Sequence, residues 1–357
     1  MSQLSALEMD TAPRLPPRWS LDLGEAPAAV AWSACGSLLA GATVTGTLVV
    51  VEAATGVELA RWRAHDEGVL ALAWHPRDPL LTSAGMDGCV RFWHVTAGQG
   101  AVALASVALH DGQTSQWVEH LCWRPDGRQL AVASGSRVGL FSALGVLEQA
   151  YVFPGGTVGA LYWRPMGAQL AVAGYGGVQI HNVLDARSRP QELKWKGSLL
   201  ALAWSPDGKV IAAGCQDNTV HFWRLPEGRD ARMTGFDYKP LQLCWSHNGR
   251  WLLTGGSPLL ICWPFDKSGP EGRAPVTITW HTQAICAIAA SAGKPWLASG
   301  CRAGRIAFWK QPGAALPQAW AVLGGRVEQL QWCPRKGSAL VAASSRAGML
   351  ALWDVGG

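Results

Sequence analysis

The stretch 69-VLALAWHPRDPLLTSAGMDGCVRFWHV-95 decides the fold. An apolar run ends in Trp74, a Pro/Asp turn follows, then a run of small and branched residues, a Gly-containing turn, and a third run closing on Phe92-Trp93. Runs of about six residues between such turns are too short for helices and read as strands. The pattern recurs as 199-LLALAWSPDGKVIAAGCQDNTVHFWRL-225 and 285-ICAIAASAGKPWLASGCRAGRIAFW-309. Around these, Trp32, Trp74, Trp123, Trp163, Trp204 and Trp245 close inner runs at steps of 42, 49, 40, 41 and 41 residues. Trp332 closes one more, and Ala290 stands where the intervening Trp would be.

A period in the low forties marks a repeat in which each unit is one four-stranded blade of a β-propeller. The expected fold is therefore all-β, an eight-bladed propeller of antiparallel four-stranded blades. Its repeats begin near Ala28, Val69, Val118, Val158, Leu199, Leu241, Ile285 and Val327. The last repeat stops after a third strand ending at Trp353. The segment 18-RWSLDLG-24 is the candidate for the missing fourth strand, completing the last blade and closing the ring. Residues 1–17 then read as a flexible N-terminal tail and 18–357 as a single propeller domain.

Composition supports this reading. Hydrophobic residues make up 49%, charged residues 15%, and 42 glycines serve the turns. The net charge of +5 comes from scattered Lys and Arg, without the basic stripe of a nucleic-acid binder. Nine cysteines, several beside core tryptophans as in Leu121-Cys122-Trp123, read as reduced buried residues. No secretory pattern opens the chain, and no apolar run reaches the roughly 18 residues of a membrane span. A cytoplasmic protein is expected.

The segment 83-SAGMDGCVRFW-93, with His65 ahead of the inner strand, resembles the signature of the WD40-repeat family. The resemblance implies a hydrogen-bonded relay of His65, Ser83, Asp87 and Trp93. Elsewhere the relay is eroded. The Leu199 repeat keeps Asp217 and Trp223 but has Ala213 for the Ser. The Ile285 repeat keeps His281, Ser299 and Trp309 but has Ala303 for the Asp. The Val327 repeat keeps Trp353 alone, with Ala343 and Ala347 at the relay positions. The chain reads as a divergent member in which tryptophan packing replaces polar bracing.

No nucleophile elbow, phosphate loop, HExxH or CxxC is present, so no catalytic, cofactor-binding or metal residues are assigned. Cys215, Asp217 and His221 share one turn, but their places in the repeat explain them without a metal. The turns and loops expected on one ring face carry Trp117, Tyr175, Tyr238, Arg302, Arg326 and Arg346. Aromatics and arginines are enriched at binding hot spots. The resemblance therefore implies a non-catalytic scaffold holding a protein or peptide partner, without cofactor, small-molecule substrate, membrane or nucleic acid. The alternative is a cofactor-binding enzyme of the eight-bladed quinoprotein kind, which also builds Trp-rich blades.

Overall fold

The computed structural model describes residues 11–96, 100–109, 117–185, 187–225, 227–266 and 269–356. The chain forms an all-β propeller of antiparallel sheets, and it divides into two compact units, Pro27–Trp204 and the remainder. Among the described residues, no helix is long and apolar enough to cross a membrane.

Each repeat is laid down as a meander. In the Val69 repeat the strands are Val69–Trp74, Leu80–Gly85, Cys89–Thr96 and Gly100–Ala108, paired in that order. The middle strand Leu80–Gly85 is buried at every position. A strand covered on both faces reads as a continuous run of small and branched residues. The outer strand Glu58–Arg63 alternates in exposure because one face meets water.

The inner-strand tryptophans share one hydrogen-bonding habit. Trp74 donates its indole N–H to the carbonyl of Ala31 at 3.0 Å, Trp163 to Cys122 at 3.0 Å, Trp204 to Tyr162 at 3.4 Å and Trp332 to Ala289 at 3.1 Å. Each acceptor immediately precedes the corresponding Trp position of the preceding repeat. Trp123 departs from this by one atom. Its N–H reaches the Thr82 hydroxyl at 3.2 Å, and that hydroxyl donates to the Ala73 carbonyl at 2.8 Å. The period of the sequence is thus the spacing of a clamp between successive inner strands, and the clamp satisfies an indole that burial would otherwise leave unpaired.

The expectation of eight separate four-stranded blades is corrected: the strands form seven sheets, six of four strands and one of six. The six-stranded sheet contains two strands of 14 residues, Gln169–Asn182 and Gln191–Trp204. The first half of Gln169–Asn182 pairs with Val158–Trp163, and its second half pairs with Gln191–Ser198. The chain turns between these halves at Tyr175-Gly176-Gly177, where Gly176 and Gly177 have φ of 91° and 129°. Glycine adopts such angles without steric cost, so the turn is tight enough to leave the strand unbroken. Gly197, with φ 129°, does the same in Gln191–Trp204.

The N-terminal strand Trp19–Asp22 pairs antiparallel with Met349–Leu352, with Trp19 opposite Leu352 and Asp22 opposite Met349. It supplies the fourth strand of the sheet formed by Val327–Trp332, Leu340–Ser345 and Met349–Asp354. Order begins earlier than the expected tail boundary at residue 17. Ala12 is buried, Trp320 donates its indole N–H to the Ala12 carbonyl at 2.9 Å, and Leu15 N–H donates to the Trp320 carbonyl at 2.7 Å. The Trp353 indole reaches the Leu15 carbonyl at 3.3 Å, and the Arg14 guanidinium lies 5.6 Å from the Trp320 ring centre. Residues 12–15 are therefore held by two outer and third-strand tryptophans.

All nine cysteines are free thiols. Burial pushes Cys122, Cys244 and Cys262 up to about 12, so they stay protonated and pack as apolar groups.

Candidate functional site

The relay of the Val69 repeat assembles from two strands, a turn and the segment before the inner strand. His65 lies before the inner strand, Ser83 in the middle strand and Trp93 in the third, with Asp87 in the turn between the last two. The His65 Nε2 stands 2.8 Å from the Ser83 hydroxyl, and Trp93 donates to the same oxygen at 3.0 Å. The His65 Nδ1 lies 2.9 Å from the Asp87 carboxylate. Gly85 is required beneath this ring, since a Cβ there would overlap it. Burial pushes His65 below its ordinary value, against the opposing pull of Asp87. Burial works to raise Asp87, but hydrogen bonds from Arg91 and His65 prevail and hold it low. An imidazole tied at both nitrogens braces the blade.

In the Ile285 repeat half of the relay survives. His281 Nε2 lies 2.8 Å from the Ser299 hydroxyl, which also accepts the Trp309 indole at 3.0 Å. With Ala303 in the Asp position, the buried His281 Nδ1 has no hydrogen-bond partner among the described residues. Burial pushes this imidazole down to about 3 from an ordinary 6.5, and the Arg305 charge acts in the same direction. The folded state then binds the proton less readily than the unfolded chain. Stability is full above about pH 6.5 and falls as pH drops toward about 3, by about 1.4 kcal/mol per pH unit from this group. Urea unfolding between about pH 7 and about pH 4 is expected to show a shallower decline for His281→Gln than for the parent chain. Parallel declines would mean that His281 does not titrate in this way.

The Val158 repeat has lost the relay. Phe153 takes the place of the histidine, its ring lying where a Cβ on Gly174 would meet it, as His65 does over Gly85. His221, in the Leu199 repeat, bonds Asp230 at 2.8 Å on the outer strand Arg229–Met233.

Of the expected partner residues, Trp117 and Tyr175 belong to the unit Pro27–Trp204, while Tyr238, Arg302, Arg326 and Arg346 belong to the other. Trp117, Tyr175 and Tyr238 are each more than half exposed. Trp117 immediately precedes an inner strand, and Tyr175 lies within Gln169–Asn182 where its two differently paired halves meet. Tyr238 backs onto the Gly255-Gly256 turn, whose Gly256 N–H donates to the Ile285 carbonyl at 3.1 Å. Arg302 N–H donates to Ala284 at 3.0 Å, and Arg346 N–H to Arg326 at 2.8 Å. These bonds set all three arginines on the sheet ends where inner strands begin. Burial raises the Cys286 thiol, and the charges of Arg326 and Arg302 pull against it. Arg326 also faces Glu328 at 3.5 Å. The aromatic set is thus divided between the units, and Tyr238 shares its unit with the arginines.

The WD domain, G-beta repeat family model matches residues 56–94, 191–224 and 272–310. Each match contains a third-strand tryptophan, Trp93, Trp223 or Trp309. The chain carries WD40 repeats. This WD40 chain is similar to the cell division cycle 20.1 protein, cofactor of APC complex, of Arabidopsis thaliana, at 28% identity over 149 residues, 39% of this chain and 31% of that protein. It is also similar to the probable cytosolic iron-sulfur protein assembly protein Ciao1 of Culex quinquefasciatus, at 40% identity over 70 residues, 20% of each. The WD40 chain spans less than a third of the length of these curated relatives. Among solved structures, the computationally designed Ika8 protein superposes with a TM-score of 0.74 over 96% of this chain and 98% of its own, at 20% identity. That likeness shows the fold.

Proposed function

We propose that the chain is a non-catalytic scaffold of the cytoplasm that holds a protein or peptide partner on the sheet ends carrying Arg302, Arg326 and Arg346. The placement of these three arginines on sheet ends where inner strands begin carries the reading, and among the described residues only Arg326 has an ion-pair partner. Arginine forks take carboxylates in bidentate geometry, which suits a partner segment with acidic residues. The similarity to a protein described as the cofactor of a complex supports a role in assembly. Nine free thiols support a reducing compartment.

The repeat count that fits this scaffold is eight, carried by seven sheets. The Val158 repeat aligns with the Val118 repeat through its turn, and there the middle strand ends at Ser134 and the third begins at Arg137. By the same division Gln169–Asn182 serves as two strands, and Gln191–Trp204 as an outer strand followed by the next inner strand.

The double substitution Arg302→Glu/Arg346→Glu is expected to abolish partner capture from native lysate while leaving the melting temperature nearly unchanged, since both side chains are exposed. Capture retained by the folded double variant would move the partner to another surface.

A further inference from the structure

The loss of the relay in the Val158 repeat leaves a cavity of about 590 Å³ at the end of its sheet, lined by Phe153, Tyr175, Gly176, Lys194, Trp195 and Lys196 among others. Comparison with the Val69 repeat explains the space. The turn 174-GYGG-177 is one residue shorter than 85-GMDGC-89, and the residue missing is the relay Asp. Arg91 is matched by Gln179, and the histidine by the apolar ring of Phe153. Gly176 and Gly177 bring no side chain, and their positive φ angles keep other residues out. What the Val69 repeat fills with a charged network is here an open, largely apolar recess.

Its wall and rim differ in chemistry. Phe153 is buried, Trp195 half-buried and Tyr175 exposed, so three aromatic rings meet the space at graded depths. Lys194 and Lys196 stand at the rim. Lys194 faces Glu192 at 3.8 Å, but both side chains are more than half exposed, and such a pair is weak. Lys196 has no ion pair among the described residues. The volume lies in the range of sites that bury a ligand's apolar portion.

We propose that this recess binds a linear peptide segment whose apolar anchor residue enters between Phe153, Tyr175 and Trp195 while a neighbouring carboxylate meets Lys196. The proposal deepens the scaffold reading and rests on it only in taking Tyr175 as a contact residue. It names a site separate from the arginine cluster.

The full chain would be titrated, by fluorescence anisotropy, with a labelled peptide acetyl-Asp-Glu-Leu-Phe-Asp-amide. The comparison probes are the same peptide with Lys for each acidic residue, the same peptide with Ser for Leu and Phe, and a short oligothymidylate. Saturable binding of the acidic apolar peptide is expected, weakened about tenfold by Lys196→Glu and by Tyr175→Ser, a loss of the size that one contact supplies. The Arg302→Glu/Arg346→Glu variant should bind it as the parent does. No saturable binding, equal binding of either altered peptide, preference for the oligothymidylate, or indifference to both recess substitutions would overturn the proposal. Because lysate capture through the arginines is scored separately, failure of the recess and failure of the scaffold reading give different results.

Discussion

Removal of residues 1–25 is expected to make the chain aggregate. The deletion takes away Trp19–Asp22, which covers the edge of Met349–Asp354, and the buried Leu23 beside it. The uncovered strand 349-MLALWD-354 has a single charge, at its end, and long uncharged edges template pairing with other chains. The indoles of Trp320 and Trp353 lose their acceptors at the same time. Removal of residues 1–16 separates these effects. It keeps the strand but removes the Ala12 and Leu15 carbonyls, and buried donors left unpaired cost about 1–3 kcal/mol each. A soluble chain destabilised by about 2–4 kcal/mol is expected, measured by urea unfolding with size-exclusion chromatography alongside. If the shorter deletion matched the full chain in stability, the bonds from residues 12–15 would contribute nothing.

Trp204→Ala is expected to destabilise by about 3–5 kcal/mol, the range for a large aromatic removed from a packed interior. Trp204 is 8% exposed, donates to the Tyr162 carbonyl, and carries the Arg164 guanidinium 5.7 Å from its ring centre. The substitution leaves a cavity and also leaves Arg164 without its aromatic face. Trp117→Ala is expected to cost less than about 0.5 kcal/mol, because Trp117 is 52% exposed. Equal shifts in unfolding midpoint for the two variants would contradict this division of the tryptophans.

The propeller was legible in the sequence because its repeat is written in tryptophans, and so was the relay of the Val69 repeat, whose four residues have fixed offsets. The merging of two strands at Tyr175-Gly176-Gly177 was not, since a turn signal does not report how tightly the chain turns. The ordering of residues 12–15 left no trace either. Their partners, Trp320 and Trp353, are more than 300 residues away in the chain. Phe153 was hidden by its loop, which sets it five residues before its inner strand where His65 stands four before its own. The recess it lines follows from a residue that is absent, and one sequence read alone does not announce a deletion.

The indole clamps divide their duties unequally. In four of them one partner is a side chain that only tryptophan supplies, and the other is a main-chain oxygen that every residue possesses. Ala31, Cys122, Tyr162 and Ala289 occupy the accepting positions and share no chemical character. Mutational drift at an accepting position therefore leaves the clamp intact, whereas drift at the donating position breaks it. A gene built this way can let its repeats grow apart in wording while the spacing of a single residue type keeps them in step.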